Sequence, residues 1–126
     1  MIVYATRTGN VRYIAQAVNR LDSDIDCINL VHITEPLKEP FLLMTYTDLL
    51  GDAPAVVMDF LEENHAFCRG AIASGNTNFG KELFCRSIDI IEQRFGIPAL
   101  HKIDLRGSQK DFEIIVNLHK ERVHHE

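Results

Sequence analysis

At 126 residues the chain is long enough for one folded domain with its own core, and a composition of 46% apolar and 25% charged residues excludes a disordered or membrane-embedded class. Thirteen Lys and Arg against eighteen Asp and Glu leave a net charge of −5, which repels a phosphate backbone at long range, so nucleic acid is not an expected partner. No apolar run reaches membrane-spanning length and residues 1–10 carry no basic leader, so no membrane association and a cytoplasmic location are expected.

Strand-length apolar runs alternate with stretches of helical period, and no repeat or long linker interrupts them, a pattern that predicts βαβ units on one parallel sheet. Residues 2–5 form a continuous apolar run, as a central strand covered on both faces requires. Val11, Ile14, Ala15, Val18 and Leu21 then mark one face of a helix. Residues 25–30 interleave Asp26 and Asn29 with apolar positions, which predicts a half-exposed edge strand, and Pro36 and Pro40 bracket a surface connection. Residues 41–46 are the next buried strand. After Pro54, Val57, Phe60 and Leu61 mark a short helix, and residues 68–73 supply a strand that ends in Ser74 and Gly75. The clearest helical face follows, with Phe84, Ile88, Ile91 and Phe95, capped by Gly96 with Pro98 just beyond. Residues 100–105 form the last strand. Ser108 with Asp111 resembles a capping box, and Phe112, Ile115 and Val116 face the core from a final helix that frays into a charged tail. The ending His124-His125-Glu126 reads equally as native sequence or as an added remnant.

Five strands and four helices joined by right-handed crossovers make 2-1-3-4-5 the economical strand order. The expectation is an α/β three-layer sandwich, a parallel sheet with helices on both faces, with residues 1–126 as one domain. Ligands of such sheets bind outside the carboxyl ends of the strands at the switch point, here between strands one and three. The loops to examine are therefore residues 6–11, 47–53 and 74–80.

Thr6-Arg7-Thr8-Gly9-Asn10 offers two hydroxyls, an amide side chain, a glycine and the N–H groups of a helix start, which suits a phosphate monoester. It is neither a Walker loop nor Gly-x-Gly-x-x-Gly, which argues against nucleoside triphosphates and NAD. The same residues are ordinary turn chemistry, and their position after the first strand is what singles them out. The second loop, Thr47-Asp48-Leu49-Leu50-Gly51-Asp52-Ala53, follows Thr45-Tyr46. The third, Ala73-Ser74-Gly75-Asn76-Thr77-Asn78-Phe79-Gly80, has two glycines and two asparagines that let main-chain groups approach a flat ring edge. The chain has no Trp, so Leu49, Leu50 and Phe79 are the available apolar walls, with plain loop packing as the alternative for each.

Residues 6–10 resemble the Ser/Thr-x-Thr-Gly-Asn phosphate loop of flavodoxins, with Val11 departing from the usual final hydroxyl. The third-loop string is similar to the Ala-Ser-Gly-Asn-x-Asn-Phe/Trp-Gly signature of the NrdI family, the flavodoxin-like partner of class Ib ribonucleotide reductase. The similarity continues through Thr45-Tyr46, residues 57–61, Ile97-Pro98 and Leu105 with Gly107-Ser108 and Asp111, nearly the whole chain. It implies a flavodoxin-like fold and flavin mononucleotide (FMN) as cofactor. It places the cofactor on Thr6, Arg7, Thr8, Gly9, Asn10 and Val11; on Tyr46, Thr47, Asp48, Leu49, Leu50 and Gly51; and on Ser74, Gly75, Asn76, Asn78, Phe79 and Gly80. No catalytic side chain and no metal site are implied.

The resemblance further implies that reduced flavin reacts with oxygen and sends superoxide or a peroxide to the dimanganese centre of the reductase small subunit, where a manganese and tyrosyl-radical cofactor is assembled. The chain would then be an accessory flavoprotein rather than a turnover enzyme, with a flavodoxin reductase or similar electron donor. A peptide of the second loop, at Gly51, would turn over to accept a hydrogen bond from the reduced ring. Arg7 against Asp48 and Asp52 leaves the three loops weakly acidic in sum. The alternative is an electron-transfer flavodoxin serving other reductases. A flavin-free phosphoacceptor on the same sheet is a third reading, opposed by the lack of carboxylates in Val3-Tyr4-Ala5 and Thr8-Gly9-Asn10.

Other chemistry-bearing residues read as structural. Cys27, Cys68 and Cys85 form no Cys-x-x-Cys pair and are expected to be packing residues. His32, His65, His101, His119, His124 and His125 show no ligand spacing and are expected to be solvated or at helix ends. Ser74 is expected as a turn residue or flavin contact rather than a nucleophile, and Glu62-Glu63 as a solvated helix face.

Overall fold

The computed structural model describes residues 1–123, the side chain of Leu49 excepted; His124, His125 and Glu126 lie outside the described residues. In chain order the elements are β1 (Ile2–Tyr4), α1 (Asn10–Leu21), β2 (Cys27–Asn29), β3 (Phe41–Thr45), α2 (Ala55–Asn64), β4 (Cys68–Gly75), α3 (Arg86–Phe95), β5 (Ala99–Asp104) and α4 (Gln109–Arg122). The strands form one sheet in the order β2-β1-β3-β4-β5, with every neighbouring pair parallel. This is the expected flavodoxin-like α/β arrangement. Among the described residues no helix is long and apolar enough to cross a membrane.

β3 shows why a continuous apolar run becomes the middle of such a sheet. All five of its residues are buried, and successive side chains point to opposite faces. Leu42 and Met44 join the core under α1 and α4, whereas Phe41 and Leu43 join the core under α2 and α3. A strand with water on either face would need polar alternates, and β2, half-buried throughout at one edge, has them. On α1, Val11, Ile14, Ala15 and Val18 face the sheet as expected, but Leu21 is 43% exposed because the helix ends there, past the edge of the core.

Three local features depart from the sequence reading. Short 3-10 turns occur at Leu30–His32, which takes the last position of the edge strand expected over 25–30, and at Leu49–Gly51, His65–Phe67 and Thr77–Phe79 in the connections. α3 starts only at Arg86, leaving Phe84 before the helix. The reason is a backbone turn at Cys85, whose φ of 52° is left-handed and interrupts the helical pattern. Cys85 is held there by burial, with Sγ 3.4 Å from Ala73 O and 3.6 Å from Ile103 O. At the last strand, Leu105 leaves the sheet with a φ of 53°, so β5 ends one residue early.

Candidate functional site

The first loop leaves β1 beside β3, with Ala5 N donating to Met44 O at 2.9 Å. Gly9, at a φ of 97°, turns the chain into α1; no side chain caps this helix and no acidic residue stands in its first turn. The first-turn N–H groups therefore present partial positive charge without a built-in anion. Beside them, Thr6 Oγ1 is buried without a hydrogen-bond partner, the one such side-chain atom among the described residues. An orphaned buried hydroxyl costs about 1–3 kcal/mol. A hydroxyl awaiting an acceptor next to open helix N–H groups is the donor set that an anionic phosphate satisfies.

The second loop is tied to both neighbours. Arg7 Nη1 lies 3.3 Å from Asp48 Oδ1, and the same guanidinium stands 5.6 Å from the centre of the Tyr46 ring. Thr47 Oγ1 donates to Ser74 O at 3.1 Å and sits 2.9 Å from Ser87 Oγ. Leu50 and Gly51 both take positive φ, 63° and 83°, and Asp48 N donates to Asp52 O at 2.9 Å to close the turn. The conformation favours glycine at Gly51, and a Cβ there would stand 3.0 Å from Arg86 Cβ, close enough that the Arg86 side chain would have to give way. Burial, then the Asp48 charge, raises the Tyr46 phenol above its ordinary range against the opposing effect of Arg7, which keeps it neutral.

The third loop continues from β4. Asn76 accepts from Asn78 N through its side chain at 2.9 Å, and Thr77 N donates to Asp104 Oδ1 at 3.1 Å. A Cβ on Gly75 would meet both N and Sγ of Cys85 at 3.0 Å, so the turn before α3 packs directly on the strand end. Ser74 is a strand residue, not a turn residue. It is buried, and its hydroxyl donates to Leu105 O at 2.6 Å.

The three loops meet in one cleft of about 260 Å³. Thr6, Arg7, Thr8, Asn10 and Val11 line it from the first loop. Tyr46, Thr47, Asp48, Leu50 and Gly51 line it from the second, and Ser74, Gly75, Asn76 and Phe79 from the third. Gly9, Asn78 and Gly80 do not line it; they shape the turns behind it. The backbone of Leu49 opens the 3-10 turn, and its side chain lies outside the described residues. Leu50 at 75% and Phe79 at 61% exposure are the exposed apolar side chains of a lining that also carries the Asn10 and Asn76 amides, a mix suited to a flat ring with a polar edge.

Sequence reasoning missed Leu83 and Leu105, which also line the cleft. Leu105 carried a usable signal, since the end of β5 opens on the same side of the sheet. Leu83 carried none. Within the three loops Arg7 stands against Asp48 and Asp52, and α3 adds a cation beside the second loop, with Arg86 Nη1 3.9 Å from Asp52 Oδ1.

No cysteine or histidine lines the cleft. Burial pushes the Cys27, Cys68 and Cys85 thiols up to about 11, as inert packing residues require. His119 stands in the last turn of α4, a helix-end position as expected, and is buried there at 5% exposure, with Nε2 2.9 Å from the Met1 amino nitrogen. Ser108, Asp111 and His101 adjoin, but Asp111 sits between the other two and serves the cap of α4. Among the described residues no group of three or more His, Cys, Asp or Glu is placed to share a metal ion.

A family model described as NrdI Flavodoxin like matches residues 2–117. Among solved structures, a Fusobacterium nucleatum flavodoxin bound to flavin mononucleotide superposes with a TM-score of 0.64 at 19% identity, over 96% of each chain. The oxidised Flavodoxin 2 from Bacillus cereus gives 0.62 at 25% identity, over 93% of this chain and 92% of that one. A short-chain flavodoxin associated with a bacterial microcompartment gives 0.63 at 21% identity, over 92% and 90%.

Proposed function

The chain belongs to the NrdI flavodoxin-like family, and from that premise we propose that its cleft holds FMN and that the whole chain, 1–126, acts as one flavin domain activating a class Ib ribonucleotide reductase. The observation that carries the reading is the meeting of the loops after β1, β3 and β4 in one slot, with an unsatisfied Thr6 hydroxyl at the uncapped start of α1. Bound FMN supplies the electrons that convert oxygen to the superoxide or peroxide used by the dimanganese small subunit.

The protein's own part is positioning. Thr6, Thr8, Asn10 and the first N–H groups of α1 hold the phosphate. Leu50 and Phe79 would cover the ring and keep water from it, and the main chain of residues 74–76 would serve its polar edge. Gly51, already at positive φ, is the residue of the second loop able to change its peptide orientation at little cost. The Tyr46 phenol, raised by burial and then by Asp48, keeps its O–H and adds no negative charge to the cleft.

A visible spectrum of the purified protein tests the cofactor: flavin bands are expected, before or after reconstitution with FMN. For the role, the reduced protein is mixed with a dimanganese small subunit and exposed to oxygen, and a tyrosyl-radical signal is expected. Flavin binding without radical formation, with electrons passed instead to unrelated reductases, moves the reading to an electron-transfer flavodoxin.

A further inference from the structure

Building on the flavin reading, we infer that Arg106 makes this site select the phosphorylated flavin over its unphosphorylated form, by holding an unpaired positive charge against the first loop at the start of α1. Arg106 belongs to the turn between β5 and α4, outside the three loops at the switch point. Its Nε donates to Asn10 Oδ1 at 3.3 Å, and its Cζ stands 4.8 Å from the centre of the Tyr13 ring. Asn10 lines the cleft and Tyr13 lies one helical turn further along α1. Together they pin the guanidinium to the helix end whose first turn has neither a side-chain cap nor an acidic residue.

The turn carrying Arg106 is itself braced. Leu105 N donates to Gly75 O at 2.8 Å, Leu105 O accepts from Ser74 Oγ at 2.6 Å, and Gly107 N donates to Asp104 O at 2.9 Å. The backbone that carries Arg106 is therefore fixed before a ligand arrives, which lowers the ordering cost of using its side chain.

Its charge is also uncommitted. Arg7 is matched by Asp48 and Arg86 by Asp52, whereas among the described residues no carboxylate forms an ion pair with Arg106. A guanidinium carries five N–H donors, and Asn10 takes one. A phosphate monoester near neutral pH is close to a dianion, while unphosphorylated flavin presents a neutral hydroxyl at the same end. Arg106 attracts the first and is indifferent to the second. A donor-only guanidinium also requires the amide oxygen of Asn10 to face it, which turns the Asn10 NH₂ away as a further donor.

The test is a fluorescence titration of the flavin-stripped full-length protein with FMN and, separately, with riboflavin. Wild type is compared with Arg106→Gln, which keeps a donor for Asn10 without the charge, and with Arg106→Lys. Arg106→Gln is expected to weaken FMN roughly five- to tenfold, to leave riboflavin unchanged, and to reduce the salt dependence of FMN binding. Arg106→Lys is expected to restore most of the FMN affinity. Equal weakening of both flavins would reduce Arg106 to a brace and overturn the inference, as would an unchanged FMN affinity in Arg106→Gln. Wild-type protein that takes up neither flavin overturns the flavin reading itself.

Discussion

Thr6 and Gly51 show how one residue can be set for a ligand at the expense of the empty fold. The Thr6 hydroxyl is buried without a partner, so Thr6→Val, nearly the same shape, removes an unsatisfied group. The flavin-free variant is expected to match or exceed wild type in urea unfolding by up to about 1 kcal/mol, while binding FMN about tenfold more weakly. A flavin-free variant that is clearly less stable would mean that the hydroxyl has a partner in the empty protein. Gly51 is constrained twice, by a φ of 83° and by Arg86 Cβ 3.0 Å from where its own Cβ would stand. Gly51→Ala is expected to cost about 1–2 kcal/mol in thermal or urea unfolding. A cost near zero would show that Arg86 moves aside and that the turn is not strained.

At the scale of elements, α4 is the one whose start is settled by side chains. Ser108 and Asp111 form a reciprocal capping box, and Asp111 Oδ1 also meets His101 Nε2 on β5 at 2.8 Å. Ser108→Ala is expected to cost about 1 kcal/mol. Partial burial pushes the Asp111 carboxyl up, but the hydrogen bonds from His101 and Ser108 outweigh it and hold the group below its usual value. A carboxyl lowered on folding adds stability that is fully present above its unfolded value, near 3.8, and is lost as pH falls through the lower folded value. Asp111→Asn is therefore expected to be less stable than wild type in urea melts at pH 7, with the gap narrowing in acid. A gap independent of pH would assign the loss to capping geometry alone. α3 is the contrasting element. Its apolar period is visible from Phe84 onward, but the helix waits for Arg86 because the chain first crosses Gly75 through the left-handed Cys85.

For the molecule as a whole, charge decides what kind of redox partner the cleft makes. Asp48 and Asp52 are each matched by an arginine, and Arg106 adds an unpaired cation nearby. Under the flavin reading the paired aspartates of the second loop repel an anionic reduced flavin only weakly, so the second electron is not strongly disfavoured relative to the first. Under the flavin reading, a potentiometric titration is expected to give two one-electron steps close together. Steps separated widely enough for the one-electron form to dominate a broad range would contradict this charge balance.

What the amino-acid order determined by itself was the framework, because its signals are local. Apolar runs such as residues 41–45 and the helical period of residues 11–18 depend on spacing within one element, and right-handed crossovers then allow little choice of strand order. Loops at the carboxyl ends of β1, β3 and β4 had to converge once that order held, so most of the cleft lining was legible. What only the tertiary structure decided depends on contacts between distant residues. Arg106 meets Asn10 across 96 positions, and Ser74 meets Leu105 across 31. The burial of His119, the missing partner of Thr6 Oγ1 and the place of Leu83 in the cleft are likewise relations in space. No periodicity encodes such pairings, because they arise only after packing has brought separate elements to one edge of the sheet.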